Sequence, residues 1–370
     1  MYTIFFRNYL LEIHLPSSPL NIAVITEGKA GHLSQSMGIV DLIDRKKTVQ
    51  TIKVNLESGA EESILRGLTG LHLLLGFPTL VNVWRRACGY ISKDDLTWLN
   101  ENKPDLIISA GTIPASFNIL MKRIYKCKNI VAMRPSLMPM KAFDLMVLPK
   151  HDIKGNETSN VISTLTSSNS CRPELIKPDG VAFSEKYALQ SGEKYWAVFL
   201  GGPSKVRKFP IDDVISKVKI IAENARDKNV KLIISTSRRT EKEFESRLKI
   251  LAVDFKDQIA FLQIYSQMPI STTKGILATC EHIFITEDSV SMVSESLWAK
   301  RMTSVIELPA VSGSGKDKID KFKMNLLDEN LITVLNDNDF KNAIKPVNLS
   351  GFNDVNVIRS SVNSLIESIV

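Results

Sequence analysis

Two parallel α/β domains of Rossmann type are what this sequence predicts, and three observations predict them. Short apolar runs rich in β-formers alternate with longer stretches of helical periodicity. The runs are apolar almost throughout, as in strands covered on both faces of a parallel sheet. The alternation also stops and restarts, with one series ending near residue 148 and another opening at 195.

In the first series, 21–26 (NIAVIT) reads as a strand and 32–44 as the helix after it. Strands follow at 49–55, 105–110 (DLIISA), 129–133 and 144–148, with helical stretches between most of them. The second series has strands at 195–200 (YWAVFL), 230–235, 258–263, 282–286 and 303–307, with helices near 211–226, 239–253, 269–279, 289–300 and 317–329. Residues 150–192, rich in Ser, Asn, Pro and Gly, form the seam. The predicted division is an extension at 1–20, an N-terminal domain at 21–190, a C-terminal domain at 191–350 and a helix at 351–370. In that helix Val355, Val357, Ile358, Val362, Leu365, Ile366 and Ile369 recur at helical spacing, an amphipathic face docked on a domain.

Composition bounds the function. At about 150 residues per domain, 370 residues suit two domains. A 44% hydrophobic share fills two cores and argues against disorder. Cys88, Cys127, Cys171 and Cys280 are widely spaced, which argues against a disulfide scaffold and a cysteine-type zinc site and fits a reducing, cytoplasmic compartment. A net charge of +7 favours anionic partners. The basic residues are scattered and no nucleic-acid-binding signature is present, so nucleic acid is not expected among them.

The apolar run in 1–20 carries Arg7, Glu12 and His14 and no cleavage site, unlike a signal peptide. It reads as an extra strand, an extra helix or the product of an upstream start codon. The longest apolar segment, 67–83, is too short to span a bilayer and is interrupted by Pro78 and by glycines. It is a buried helix or, with Trp84, Arg85 and Arg86, a membrane-surface patch over 67–86 that would place the protein on the inner membrane face.

In open parallel sheets ligands bind beyond the carboxyl ends of the strands, so the loops there are the candidates. After the first strand come Glu27, Gly28, Lys29, Gly31, His32 and Gln35: glycines for close approach, and an imidazole at a helix N-terminus that can serve as general base. The other reading is a capping loop with an incidental histidine. Gly111 and Thr112, after DLIISA, hold an acceptor or form a plain turn. Gly201 and Gly202 offer N–H groups to a phosphate, with Ser204 and Lys205 beside them. Ser237, Arg238 and Arg239 suit a phosphate or a polar sugar, or cap a helix beside solvated arginines. Ser289 and Ser291 open a helix on which Glu295, four residues beyond Ser291, can bind both hydroxyls of a ribose; otherwise they cap it. The run 312–316 (SGSGK) lacks the P-loop spacing and has Asp317 where a hydroxyl belongs. His72, His151 and His282 give no metal-ligand spacing, so no metal is expected.

GKAGHLSQ (28–35), FDLMVLPKHD (143–152), FLGGPSK (199–205), STSRRT (235–240) and TEDSVSMVSES (286–296) resemble the mitochondrial fission family, known from the plant elongated-mitochondria protein and its bacterial relatives. The resemblance spans about residues 21–335. It implies a fold similar to the GT-B glycosyltransferases, two Rossmann-like domains facing a cleft. By that similarity Gly31 and His32 would face the acceptor, and Gly201, Gly202, Ser237, Arg238, Ser289, Ser291 and Glu295 a nucleotide-sugar donor. Glu27 stands where relatives usually carry Asp, and Gly111–Thr112 lacks their paired arginines. The implied function is metal-independent transfer from a nucleotide-sugar, without a further cofactor, to an acceptor that the sequence does not identify; the 67–86 segment and the basic charge permit a lipid-linked or cell-envelope one. The alternative is a non-catalytic adaptor that recruits a dynamin-like protein. Relatives have also been labelled nucleotide-sugar epimerases, against which the missing dinucleotide fingerprint is an argument.

Overall fold

A computed structural model describes residues 18–56, 59–75, 77–311, 318–336 and 347–369, with side chains except at 62, 71, 72, 74, 75 and 77–80. Most of the 1–20 extension, the SGSGK run and much of the 67–86 apolar face therefore lie outside the description.

The first sheet holds β1 (Leu20–Thr26), β2 (Lys47–Lys53), β3 (Leu106–Ala110), β4 (Lys128–Ala132), β5 (Leu145–Pro149) and β6 (Val161–Thr164) in the order β2-β1-β3-β4-β5-β6. The second holds β7 (Tyr195–Leu200), β8 (Lys231–Thr236), β9 (Ile259–Gln263), β10 (His282–Thr286), β11 (Met302–Ile306) and β12 (Thr333–Leu335) in the order β12-β11-β10-β7-β8-β9. Every strand ladder is parallel. Strands β3, β5, β7 and β10 are buried at each position, as their unbroken apolar runs require.

The helices of the first lobe are α1 (Ala30–Val40), α2 (Gly59–Leu75), α3 (Phe77–Cys88), α4 (Lys93–Asn102) and α5 (Thr112–Tyr125). The second lobe has α6 (Pro173–Lys186), α7 (Ile211–Asp227), α8 (Lys242–Asp254), α9 (Thr273–Thr279), α10 (Val290–Trp298) and α11 (Lys318–Asp328), and the chain ends in α12 (Asp354–Glu367). Among the described residues no helix is long and apolar enough to cross a membrane. In α3, Val83 and Ala87 enter the core while Arg85 and Arg86 are exposed.

The lobes exchange their ends. Helix α6 precedes residue 190, yet it packs on α9: a Cβ on Gly180 would lie 2.6 Å from the Ala278 Cβ, and one on Gly275 2.6 Å from the Phe183 Cβ. The chain thus crosses between lobes near 165–172, before α6, instead of at 190. Helix α12 returns to the first lobe and buries Ile358, Val362 and Ile366 in a core continuous with Leu20, Ile22 and Val24. Burying such a branched side chain contributes about 1.5–3 kcal/mol.

Polar contacts pin the crossing. Asp354 is buried and accepts from the N–H of Leu165 (2.9 Å), the N–H of Thr166 (2.8 Å) and the Thr166 hydroxyl (2.6 Å). The Trp298 indole N–H donates to the same hydroxyl oxygen (2.9 Å). Burial raises the Asp354 carboxyl above its ordinary value, against those hydrogen bonds. Asp354→Ala would strand two buried N–H groups; thermal or urea unfolding is expected to show a loss of about 2–4 kcal/mol.

Candidate functional site

Each sheet has one place where consecutive connections leave in opposite directions: between β1 and β3, and between β7 and β10. These are the topological switch points at which ligands enter open α/β sheets. The residues expected from sequence gather at both.

At the first, Gly28 adopts φ +89° and its N–H donates to the Thr26 hydroxyl (3.0 Å), which turns the chain sharply into α1. Glu27 then lies 2.6 Å from His32 Nδ1 and 3.3 Å from Lys29 Nζ. Burial alone would raise the Glu27 carboxyl. The hydrogen bond and charge of His32, the residue's own backbone N–H and Lys29 outweigh burial and hold it below the ordinary value. An ionised carboxylate only accepts, so Nδ1 carries the proton and Nε2 of a neutral His32 keeps a free lone pair. The ring rests on Gly111, whose φ is +85° and where a Cβ would come within 2.6 Å of His32 Cε1. Any side chain at 111 would displace the imidazole. A Cβ on Gly31 meets nothing within 4 Å, so that side of the helix start is open. Thr112 opens α5 and accepts from the Ser136 N–H (3.1 Å).

At the second switch point the segments after β7, β8 and β10 interlock through Asp288. Its buried carboxylate accepts from Arg239 (2.6 Å) and, at longer range, from the Gly202 N–H (3.3 Å). Burial raises the Asp288 carboxyl above its ordinary value, opposed by Thr286, Arg239 and Gly202. A Cβ on Gly201 would sit 2.0 Å from the Asp288 carboxylate, and one on Gly202 2.1 Å from the Arg239 carbonyl oxygen. The glycine pair is therefore dictated by packing. Its N–H groups, expected to be open to phosphate, donate to the Thr286 hydroxyl (2.8 Å) and to Asp288. Ser204 is likewise committed, accepting from the N–H groups of Val206 and Arg207, while Lys205 is exposed. Ser237 and Thr240 bond each other's segment, and Thr240 donates to the Gly201 carbonyl (2.5 Å).

What remains open there is Arg238, exposed and without a side-chain partner among the described residues, and the start of α10. Ser289, itself buried, precedes that helix and its side chain does not cap it, so the first N–H groups of α10 find no acceptor in that hydroxyl; Ser291 is exposed. Glu295 lies about a turn and a half in, with no side-chain hydrogen bond among the described residues, and burial pushes its carboxyl up to about 7, with Lys274 acting the other way. The two half-sites meet at the crossing. Ser168 donates to the Gln35 carbonyl of α1 (2.9 Å), and the Ser167 N–H reaches the Ser294 hydroxyl of α10 (3.4 Å).

Sequence reasoning missed the supports beneath this surface. Arg207, 2% exposed, donates to Glu287 (2.7 Å) and Asp320 (2.6 Å), while Lys323 bonds Glu287 (2.8 Å) and Glu307 (2.7 Å). Glu287 and Asp288 stand in the TEDS motif, but a sequence does not reveal which carboxylate turns inward. No group of three or more His, Cys, Asp or Glu among the described residues is placed to hold a metal ion.

Two Rossmann-type lobes joined through a short crossing, with the C-terminal helix returned to the first lobe, form a two-domain α/β protein of GT-B-like architecture. The chain belongs to the mitochondrial fission ELM1 family, whose model matches residues 30–358. An uncharacterised protein of Rickettsia prowazekii (strain Madrid E) is 21% identical across 75% of this chain and 80% of its own length. The UDP-GlcNAc 2-epimerase from Methanocaldococcus jannaschii shares the fold, with a TM-score of 0.52 and 12% identity over 95% of this chain and 99% of that one. A glycosyltransferase from Rickettsia africae ESF-5 superposes more loosely, with a TM-score of 0.45 and 10% identity over 95% of this chain and 94% of that one.

The Glu295 carboxyl gives a signed pH dependence. A folded-state value near 7 against an ordinary 4.5 means its contribution to stability is fully present below 4.5 and lost as pH rises through 7. Glu295→Gln is expected to match wild type in unfolding experiments at acid pH and to exceed it at pH 8 by about 1–3 kcal/mol.

Proposed function

We propose that the crevice binds a nucleotide-sugar and transfers its sugar to an acceptor hydroxyl. The observation that carries this reading is the pairing of two unlike half-sites across the crossing. One holds an oriented imidazole; the other holds an uncapped helix N-terminus with an exposed arginine and a half-buried carboxyl.

The diphosphate lies at the start of α10 and on Arg238, where N–H groups and a guanidinium favour anions. This differs from the expectation for Gly201 and Gly202, whose N–H groups are engaged; they shape the floor. Glu295, titrating near neutrality, both donates to and accepts from ribose hydroxyls. His32 Nε2 takes the acceptor's hydroxyl proton as that oxygen bonds to the anomeric carbon. The bond from this carbon to the diphosphate breaks, and the leaving charge is met by preorganised donors. Glu27 keeps the proton on Nδ1 and steadies the imidazolium.

The archaeal neighbour's name, a UDP-GlcNAc 2-epimerase, supports a nucleotide-sugar as ligand of this fold. The absent dinucleotide fingerprint argues only against an oxidative epimerase, so substrate binding is to be tested before reaction type. Calorimetry with UDP, GDP, CMP, ADP and their common sugars is expected to show one nucleotide bound selectively. Arg238→Ala should weaken it about tenfold or more, the worth of one charge-assisted hydrogen bond, and Glu295→Ala should weaken it while the fold is retained. No binding at millimolar concentration would overturn the reading and favour the adaptor alternative.

A further inference from the structure

Beside the first half-site, the loops after β4 and β5 and the first turn of α11 enclose a cavity of about 370 Å³ between the lobes. Ser136, which lines it, donates its N–H to the hydroxyl of Thr112, the neighbour in sequence of the Gly111 on which His32 rests. Its lining is of two kinds.

One part is apolar: Leu137, Met140 and Ile153. Leu137 is 84% exposed and has φ +61°, in the left-handed region that side chains rarely adopt. A large apolar side chain held in strained backbone and turned to solvent bears two costs at once, a combination that collects at ligand sites. The other part is cationic: Lys154 from the first lobe, Lys318 and Lys321 from the second. Lys318 is paired with Asp152. Lys154 and Lys321 are exposed and have no side-chain partner among the described residues. The loop bearing Lys154 is held in place, because Glu157 accepts from the N–H groups of Lys154 (2.7 Å) and Gly155 (2.8 Å) and pairs with Arg134. His151, edge-on to Phe322 across the lobes, leaves its Nδ1 buried and without a hydrogen bond among the described residues. A buried polar atom without a partner is costly unless something else satisfies it.

We propose that this cavity binds an amphiphile with a phosphate-type headgroup: the anion on Lys154, Lys321 and His151, the hydrocarbon chain over Leu137 and Met140. Naming it the acceptor subsite rests on the transferase reading above; the binding itself does not. The ligand then enters beside the oriented imidazole, on the side of the crevice opposite the nucleotide.

The full-length protein is titrated by calorimetry with dihexanoyl phosphatidic acid below its micelle concentration, with dihexanoyl phosphatidylcholine, with inorganic phosphate and with UDP. Saturable binding of the phosphatidate, clearly tighter than of phosphatidylcholine or phosphate, is expected. The double substitution Lys154→Glu/Lys321→Glu should weaken it about tenfold or more, as two cations near an anionic lipid are worth, and Leu137→Asn, which tolerates the backbone, should weaken it independently. Circular dichroism melts of these exposed-site variants should match wild type. Equal affinity for phosphate and phosphatidate would leave an anion site and overturn the amphiphile. So would binding indifferent to both variants, no binding at all, or displacement by UDP. Phosphatidate binding without nucleotide binding would sink the transferase reading and leave this inference standing; the reverse would do the opposite.

Discussion

A parallel sheet wound outward in both directions from its first strand leaves a crevice at that strand, because right-handed crossovers send the two flanking helices to opposite faces. Both sheets obey this constraint, at β1/β3 and at β7/β10. Everything chemically distinctive follows from it. The imidazole of His32, the turn at Gly111, the buried Asp288 and the start of α10 all stand at carboxyl ends of the strands bordering the two crevices.

Within that constraint, buried charge does the shaping. Asp288 and Glu287 are adjacent and both turn inward, an arrangement tolerable only because Arg239 meets one and Arg207 with Lys323 the other. Removing one partner of such a set leaves an uncompensated buried charge and costs about 3–5 kcal/mol. These pairs tie the β7, β8 and β10 loops and α11 into one body. They also explain why glycine is required at 201 and 202: the space a side chain would need is filled by a carboxylate and by a carbonyl oxygen.

The sheets were legible in the sequence because a doubly covered strand must be continuously apolar, and YWAVFL or DLIISA admits few other readings. The motif order 28–35, 199–205, 235–240 and 286–296 also located the loops that gather at the switch points. Less legible was the direction in which each group points. GGPSK looks alike whether its N–H groups face a phosphate or, as here, Thr286 and Asp288. The crossing falls inside the seam read at 150–192, but the sequence does not say on which side of it α6 belongs, because α6 follows the polar run at 166–170 without a further break in composition that would announce its packing on α9. Strands β6 and β12 are four and three residues long, too short for periodicity to register.

The crossing itself explains how half-sites on separate lobes keep a fixed relation. Over four residues, 166–169, the backbone or side chains bond α12, α10 and α1: Thr166 to Asp354 and Trp298, Ser167 to Ser294, Ser168 to Gln35. Asn169 packs against Gly38 so closely that a Cβ there would be 2.5 Å from its backbone. Helix α1 carries His32 and helix α10 carries Glu295, so the segment that joins the lobes also sets the spacing of these two side chains. A substitution that loosens Asp354 would act on the geometry of both half-sites from a distance, by freeing both helices from their common anchor before it touched either side chain.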